Sequence, residues 1–417
     1  MTTIEDPTAS DHDDGAAVAD TLGYRPFDAD NHYYEALDAF TRHIEPRLRR
    51  RAVQWAEIDG KLRLLVCGRV NGFIPNPTFD PVARPGCLDA YYRGENPEGK
   101  SMAELFGELL PIDPAYRDRE VRLKVMDAQG LEKVFLFPTL GVGMEEAMKA
   151  EPEVLVGAFR AFNRWLDEDW GLSFRERIYA APLVTLVDPQ AAVAALEWAL
   201  SRDVRVLCLR AAPVPTPEGS RSPADPCFDP FWARVNEAGV SVAFHGGDHG
   251  YGRYAEDWGE GGEFRAFKST PLRALVMADR APFDTFAALV CHGLFRRFPN
   301  LRIASVEMGC EWVRLLLRRL ERLFHQTPYA FAEDPVAVFK RHVWVSPFHE
   351  EDVKGLADVL GADRLLFGSD FPHAEGLPEP LHFVRELAGF SSADVRRIMR
   401  DNALGLCERR PAPAGRP

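Results

Sequence analysis

Paired cysteines are missing from this sequence. Its seven cysteines stand at 67, 87, 208, 227, 291, 310 and 407, an odd count with no CxxC. That scatter excludes a disulfide scaffold and a zinc ribbon, and it leaves reduced thiols of a cytoplasmic protein as the expectation. Positive charge is also short: 50 Lys and Arg against 63 Asp and Glu give a formal net charge of -13. That sign is wrong for nucleic-acid phosphates and for an anionic membrane surface. No apolar run reaches the roughly 18 residues of a membrane span. The opening MTTIEDPTASDHDDGAAVAD has no apolar core of the kind a signal peptide needs. Internal repeats and low-complexity linkers are absent too, so no boundary divides the chain.

What is present is alternation. Short apolar runs occur at RPFDADNH, EKVFLFPT (132–139), RIYAAPLV (177–184), VRVLCLR (204–210), VSVAFHG (240–246), LRIASVE (301–307), HVWVSP (342–347) and RLLFGSD (364–370). Runs this short and this rich in Val, Ile, Leu and Phe read as parallel strands covered on both faces. Helical patterns separate them. DPQAAVAALEWALSR and DPFWARVNEAG each open on Asp-Pro, and CEWVRLLLRRLERLFHQ is amphipathic. Eight strands alternating with helices predict an α/β protein, a (β/α)8 TIM barrel, over a doubly wound open sheet. The expected organisation is a disordered acidic tail at 1–22, one barrel domain at 23–408 and a disordered tail at 409–417. A Gly-, Pro- and Asn-rich stretch at 60–118 breaks the alternation. It reads as an insertion after the first strand, either a lid over the C-terminal face or a surface decoration.

Barrel chemistry sits at the C-terminal ends of the strands. There the chain places Asp30 and His32, two apart and so on one face. It also places His245 after VSVAF, Glu307 after IASV, and Asp370 after LLFG, with His373 three residues on. Singly, each has a bland reading: a polar strand end, a core histidine, the start of a turn. Together at one end of one barrel they point to a divalent metal site. Glu307, costly to bury without a partner, is a ligand or a general base. Asp248 and His249 lie on the loop after His245. Strand four ends in Arg210 with no lysine, which leaves no candidate for a carboxylated-lysine bridge. His292 falls near the far end of a helix and reads as structural. Glu35 reads as a first-turn carboxylate of the helix expected to follow it, with a ligand role as the alternative.

With DADNH, VAFHGG, GLFRRFPNLRIASVE and LLFGSDFPH, residues 25–405 resemble the amidohydrolase-like metal-dependent TIM barrels. The group is that of aminocarboxymuconate semialdehyde and γ-resorcylate decarboxylases. The family pattern D-x-H-x-H reads here Asp28-x-Asp30-x-His32, and the family's strand-six histidine is Glu307. A histidine at 373 is also unusual for the family. AFNRWLDEDWG and RVNGFIPNPTFDPVARPGCLD are similar to an actinobacterial branch with a nonheme diiron monooxygenase of platensimycin/platencin-type diterpenoid biosynthesis. That resemblance implies two iron ions on Asp30, His32, His245, Glu307, Asp370 and His373. It further implies O2, an external electron donor and a bulky substrate linked as a CoA thioester, in a homo-oligomeric enzyme of antibiotic biosynthesis. Phe73, Phe79, Tyr91 and Tyr92 are candidates for the wall of a hydrophobic pocket. The alternative is one Zn or Mn in a hydrolase or decarboxylase with Glu307 as base. A catalytically silent barrel is the third reading.

Overall fold

A computed structural model describes residues 18–262 and 265–412. Strand β1 (Phe27–Tyr33) is buried at all seven positions. It is followed by an antiparallel meander of β2 (Val53–Ile58), β3 (Lys61–Val66) and β4 (Arg69–Val70). The parallel strands then resume with β5 (Lys133–Pro138), β6 (Ile178–Ala180), β7 (Val206–Arg210), β8 (Ser241–His245), β9 (Ile303–Val306) and β10 (Val343–Val345). Parallel ladders run β1-β5-β6 and β7-β8-β9-β10.

Two short backbone stitches join these sheets into a ring. Between β6 and β7, Cys208 N donates to Pro182 O and Val184 N to Cys208 O, both at 3.0 Å. Between β10 and β1 the segment 365–371 serves as the eighth stave. Leu366 N donates to Val345 O at 2.9 Å, and Ala29 N, Asp370 N and His32 N bond to Phe367 O, Asp30 O and Phe371 O, each at 2.8 Å. The expected RLLFGSD strand is therefore in place but irregular: Phe367 N bonds to Ile398 O at 3.1 Å, outside the ladder, and Asp370 turns into the left-handed region at φ 56°. The result is the expected (β/α)8 arrangement, with strands buried on both faces.

Local signals explain the outer helices. Asp188 accepts from Gln190 N and Ala191 N and caps the helix Pro189–Leu200. Gly239, at φ 62°, ends Asp229–Ala238. Asp229 itself is no cap; its carboxylate pairs with Arg297 at 3.1 Å. Helix Glu311–Gln326 buries Trp312, Val313, Leu316, Leu317 and Leu320 against the barrel.

The excursion after β1 starts earlier than its composition suggests. It leaves the barrel at residue 34 and returns at the helix Arg119–Ala128. A boundary at 60 cuts the β2–β3 hairpin turn, where Asp59 and Gly60 both have positive φ. Gly/Pro counting missed residues 34–52, which form turns and contain no helix. Glu35 consequently has no following helix to serve. It is buried and instead accepts from Leu140 N and Gly141 N at 2.9 Å, where the chain leaves β5. Of the expected tails, 1–17 and 413–417 lie outside the described residues. Residues 18–22 are helical, and Arg410 N and Ala412 N bond to Gly239 O and Glu237 O.

Arg122 is fully buried and holds the end of β1. It donates to Asn31 Oδ1 at 3.0 Å, His32 O at 2.5 Å and Ala115 O at 2.9 Å. Arg122→Ala would leave these acceptors unmet and is expected to lower stability by roughly 3–5 kcal/mol in urea denaturation. Burial lifts the Glu35 carboxyl from its usual 4.5 to about 7. Folding therefore takes up a proton between those values, and stability falls as pH rises through that window. Glu35→Gln is expected to flatten that part of the stability–pH curve.

Candidate metal centre

The C-terminal ends of the staves bring six side chains together. Asp30, His32, His245 and Glu307 offer donor atoms within 4.8 Å of one another, and so do His32, Glu307, Asp370 and His373. His32 Nε2 stands 3.1 Å from Asp30 Oδ1, 3.2 Å from Glu307 Oε2 and 3.2 Å from Asp370 Oδ1. His245 Nε2 is 3.4 Å from both Asp30 Oδ1 and Glu307 Oε2. Ligands about 2.1 Å from a tetrahedral or octahedral ion stand roughly 3.0–3.4 Å apart, so the spacing is that of donors around one centre.

The backbone is shaped for this. The β1–β5 register slips between Asp28 and Asn31, a bulge that re-aims the strand. Asp28, which the motif spacing would align with Asp30, takes another task. It accepts from Ser369 Oγ at 2.5 Å, Ser369 N at 3.0 Å and Asn31 Nδ2 at 3.0 Å. Glu307 and Asp370 sit at φ 53° and 56°, a strained region for non-glycine residues that is common at functional sites. Gly246 makes room for this: a Cβ there would lie 2.3 Å from Glu307 O.

The electrostatics are those of a donor set short of a cation. Burial alone would raise Asp30, but hydrogen bonds from His245 and His32 outweigh it and hold the carboxylate at about 2. Burial would lower His32, yet Asp30 and Glu307 lift it to about 10. Burial, then Glu307, pushes Asp370 well above the carboxylate range, and burial with the His32 charge drives His373 well below the histidine range. Thr139 Oγ1 donates to Tyr33 O, so His373 Nε2–H donates to Thr139 at 2.9 Å. The unprotonated His373 Nδ1 then faces Asp370 Oδ1 at 2.6 Å. Among the described residues both atoms are buried without a hydrogen-bond partner, as is Glu307 Oε2. Facing lone pairs at that distance need a proton between them or a cation that both ligate, and the donor types gathered here fit a metal ion. His245 Nδ1, 3.0 Å from Gly246 O, leaves Nε2 free for it.

Above the cluster opens a cavity of about 380 Å³. Its walls are Tyr34, Phe73, Phe79, Tyr92, Phe106 and Phe267, and Glu307, His373 and Glu375 are at its polar end. Phe106 of the insertion meets Phe267 of the loop after β8 edge to face at 5.3 Å. That second covering segment was not apparent in the sequence. Tyr91 is not in the wall; it packs on Tyr92. Asp248 and His249 stay outside both donor groups. Burial raises Asp248 to about 6 and lowers His249 to about 3. His292 is exposed at the end of helix Arg280–Cys291. Arg210 turns to Glu146 at 2.5 Å. Glu375 and Thr139 went unnoticed because neither belongs to a motif.

Residues 109–406 match the amidohydrolase family model. The chain belongs to the amidohydrolase family. An amidohydrolase of Mycobacterium avium subsp. paratuberculosis K-10 shares 45% identity at a TM-score of 0.88, over 92% of this chain and 99% of that one. A 2,6-dihydroxybenzoate decarboxylase from Rhizobium has the same fold at 20% identity and a TM-score of 0.54, over 80% and 97%. A 5-carboxyvanillate decarboxylase from Novosphingobium aromaticivorans, solved with manganese, gives 15% and 0.56, over 93% and 96%. These relatives are decarboxylases and amidohydrolases. They overturn the expectation of an oxidoreductase: the monooxygenase, its iron and its role in antibiotic biosynthesis fall with it. Asp30 and His32 lie outside the matched span, and the fold brings them to the other four.

His245→Ala and Asp370→Ala are each expected to lower the metal content of the purified protein by tenfold or more, read by elemental mass spectrometry. His292→Ala should leave it unchanged.

Proposed function

We propose that the protein is a redox-neutral metalloenzyme that uses one Mn or Zn ion to decarboxylate a small aromatic acid. The carrying observation is the position of the donor cluster at the end of an aromatic cavity whose described lining contains no Lys or Arg. The two donor groups share His32 and Glu307. His32 presents one nitrogen to the cluster and cannot serve two ions, which favours a single centre over two irons. Asp30, His32, His245 and Asp370 would hold the ion, with His373 completing the set and Glu307 left for proton transfer. When bound, it would anchor the substrate carboxylate and supply Lewis acidity.

An apolar wall favours loss of charge as CO2 over retention of a carboxylate. Glu307 belongs to both the cluster and the cavity and is the acid–base group. As the bond from the ring carbon to the carboxylate breaks, that carbon keeps the electron pair and takes a proton from Glu307 Oε2. CO2 leaves, and the overall change is one proton in and one CO2 out. Hydrolysis by the same set, with Glu307 as base toward water, is the second reading. It is favoured by the 45% identity to an amidohydrolase. A CoA thioester finds no cation for its phosphates in this lining. The free cysteines support a cytoplasmic protein, and exposed Trp258 and Leu275 support a homo-oligomer. No described helix is long and apolar enough to cross a membrane.

The test is CO2 release from a panel of hydroxybenzoates by protein reconstituted with Mn or Zn under nitrogen. Chelation should abolish turnover, Mn or Zn should restore it, and O2 should make no difference. Glu307→Gln is expected to cut kcat by about 10²–10⁴ with metal retained. Turnover that survives chelation or requires O2 counts against the proposal.

A further inference from the structure

We propose that Glu375 is a substrate-recognition residue whose carboxyl binds a hydroxyl group of the substrate at the cavity wall. The proposal rests on the cavity being the substrate site of the reaction above.

Glu375 lines the cavity next to His373 and Ala374 but belongs to neither donor group. Its backbone is fixed by a turn in which Gly376 N bonds to His373 O at 3.3 Å and Leu377 N to Ser369 O at 2.8 Å. A Cβ at Gly376 would lie 2.5 Å from Asp370 O, so the turn has no slack. Glu375 Oε2 is buried and has no hydrogen-bond partner among the described residues. Three other polar side chains of the wall, Tyr34, Thr139 and Asn76, are hydrogen-bonded within the protein, and Tyr92 is exposed. Tyr34 Oη donates to Pro372 O at 3.2 Å, Thr139 to Tyr33 O at 2.8 Å and Asn76 Nδ2 to Pro81 O at 2.9 Å. Glu375 is thus a buried oxygen left for something that enters the cavity. A hydroxyl both donates and accepts, so it satisfies a carboxyl in either protonation state. A second carboxylate would be repelled here, because Glu307 shares the cavity. With the substrate of the reaction above, its hydroxyl faces Glu375 and its carboxylate faces the cluster.

The experiment compares near-isosteric pairs by calorimetry on Mn-loaded protein: phenol against toluene, and each hydroxybenzoate isomer against its methylbenzoate. In Glu375→Ala the hydroxyl-to-methyl affinity ratio, for phenol and for at least one isomer, is expected to fall roughly tenfold to a hundredfold. Glu375→Gln, which keeps hydrogen-bonding atoms, should retain most of it. Metal content and melting temperature are measured on each variant. If Glu375→Ala does not fold, Glu375→Met, which keeps the side-chain volume, gives the same reading. An unchanged ratio overturns the proposal, as does loss of metal in Glu375→Ala, which would make the residue a ligand. The phenol pair separates this inference from the reaction. A collapsed phenol ratio with no CO2 released from any acid sustains Glu375 and removes the decarboxylase. CO2 release with an unchanged ratio does the reverse.

Discussion

Everything in the site depends on the closure of the ring between the first and last staves. Asp30 and Asp370 are brought side by side by the backbone bond from Asp370 N to Asp30 O. One buried carboxylate, Asp28, locks the same seam through both polar groups of Ser369. A hydrogen bond to a buried charged acceptor is stronger than a neutral one. Burial nevertheless lifts Asp28 to about 7, against the pull of Ser369 and Asn31, so the seam is held by a group under strain. Arg122 supports it from outside. Among the described residues its guanidinium has no carboxylate partner and donates instead to Asn31, His32 and Ala115, which fixes the strand that carries two of the six donors.

The covering layer is assembled by the same economy of contacts. The insertion after β1 binds back to the stave that ends in Asp370, through Gly86 N to His373 O and Leu88 N to Ala374 O. Asp89 and Arg93 pin it further, to His349 at 2.6 Å and to Glu386 at 2.9 Å. The cavity roof and its polar end thus share backbone, and a shift of one moves the other.

Much of this could be read in the residues. Buried parallel strands announce themselves by apolar runs of four to eight, and seven of the eight expected runs contain a regular strand. The eighth, 364–370, keeps its place but not its regularity, since Phe367 N bonds to Ile398 O and Asp370 has a positive φ, neither of which has a sequence signature. His245, Glu307 and Asp370 were visible as ionisable groups ending apolar runs, and the structure does bring them to Asp30, His32 and His373. What their spacing could not show was the bulge that sends Asp28 to Ser369. Nor could it show Glu35 reaching across to residues 140 and 141, since a long-range hydrogen bond leaves no periodicity behind. Glu375 was hidden for the same reason: its significance is an unmet oxygen, a property of packing. The oxygenase reading failed differently. It came from a likeness to one branch, and the relatives found by comparison are decarboxylases and amidohydrolases instead.

The donors are spread from residue 30 to residue 373, and that separation has a bearing on biosynthesis. A chain emerging from the ribosome presents Asp30 and His32 early, but the partner stave arrives only after most of the barrel has been made. Until then β1 has an open edge, and its carboxylate and imidazole are too few to retain an ion. An ion held by all six donors would therefore require the completed barrel. Truncation short of residue 373 would leave a protein with most of its core and only part of its centre.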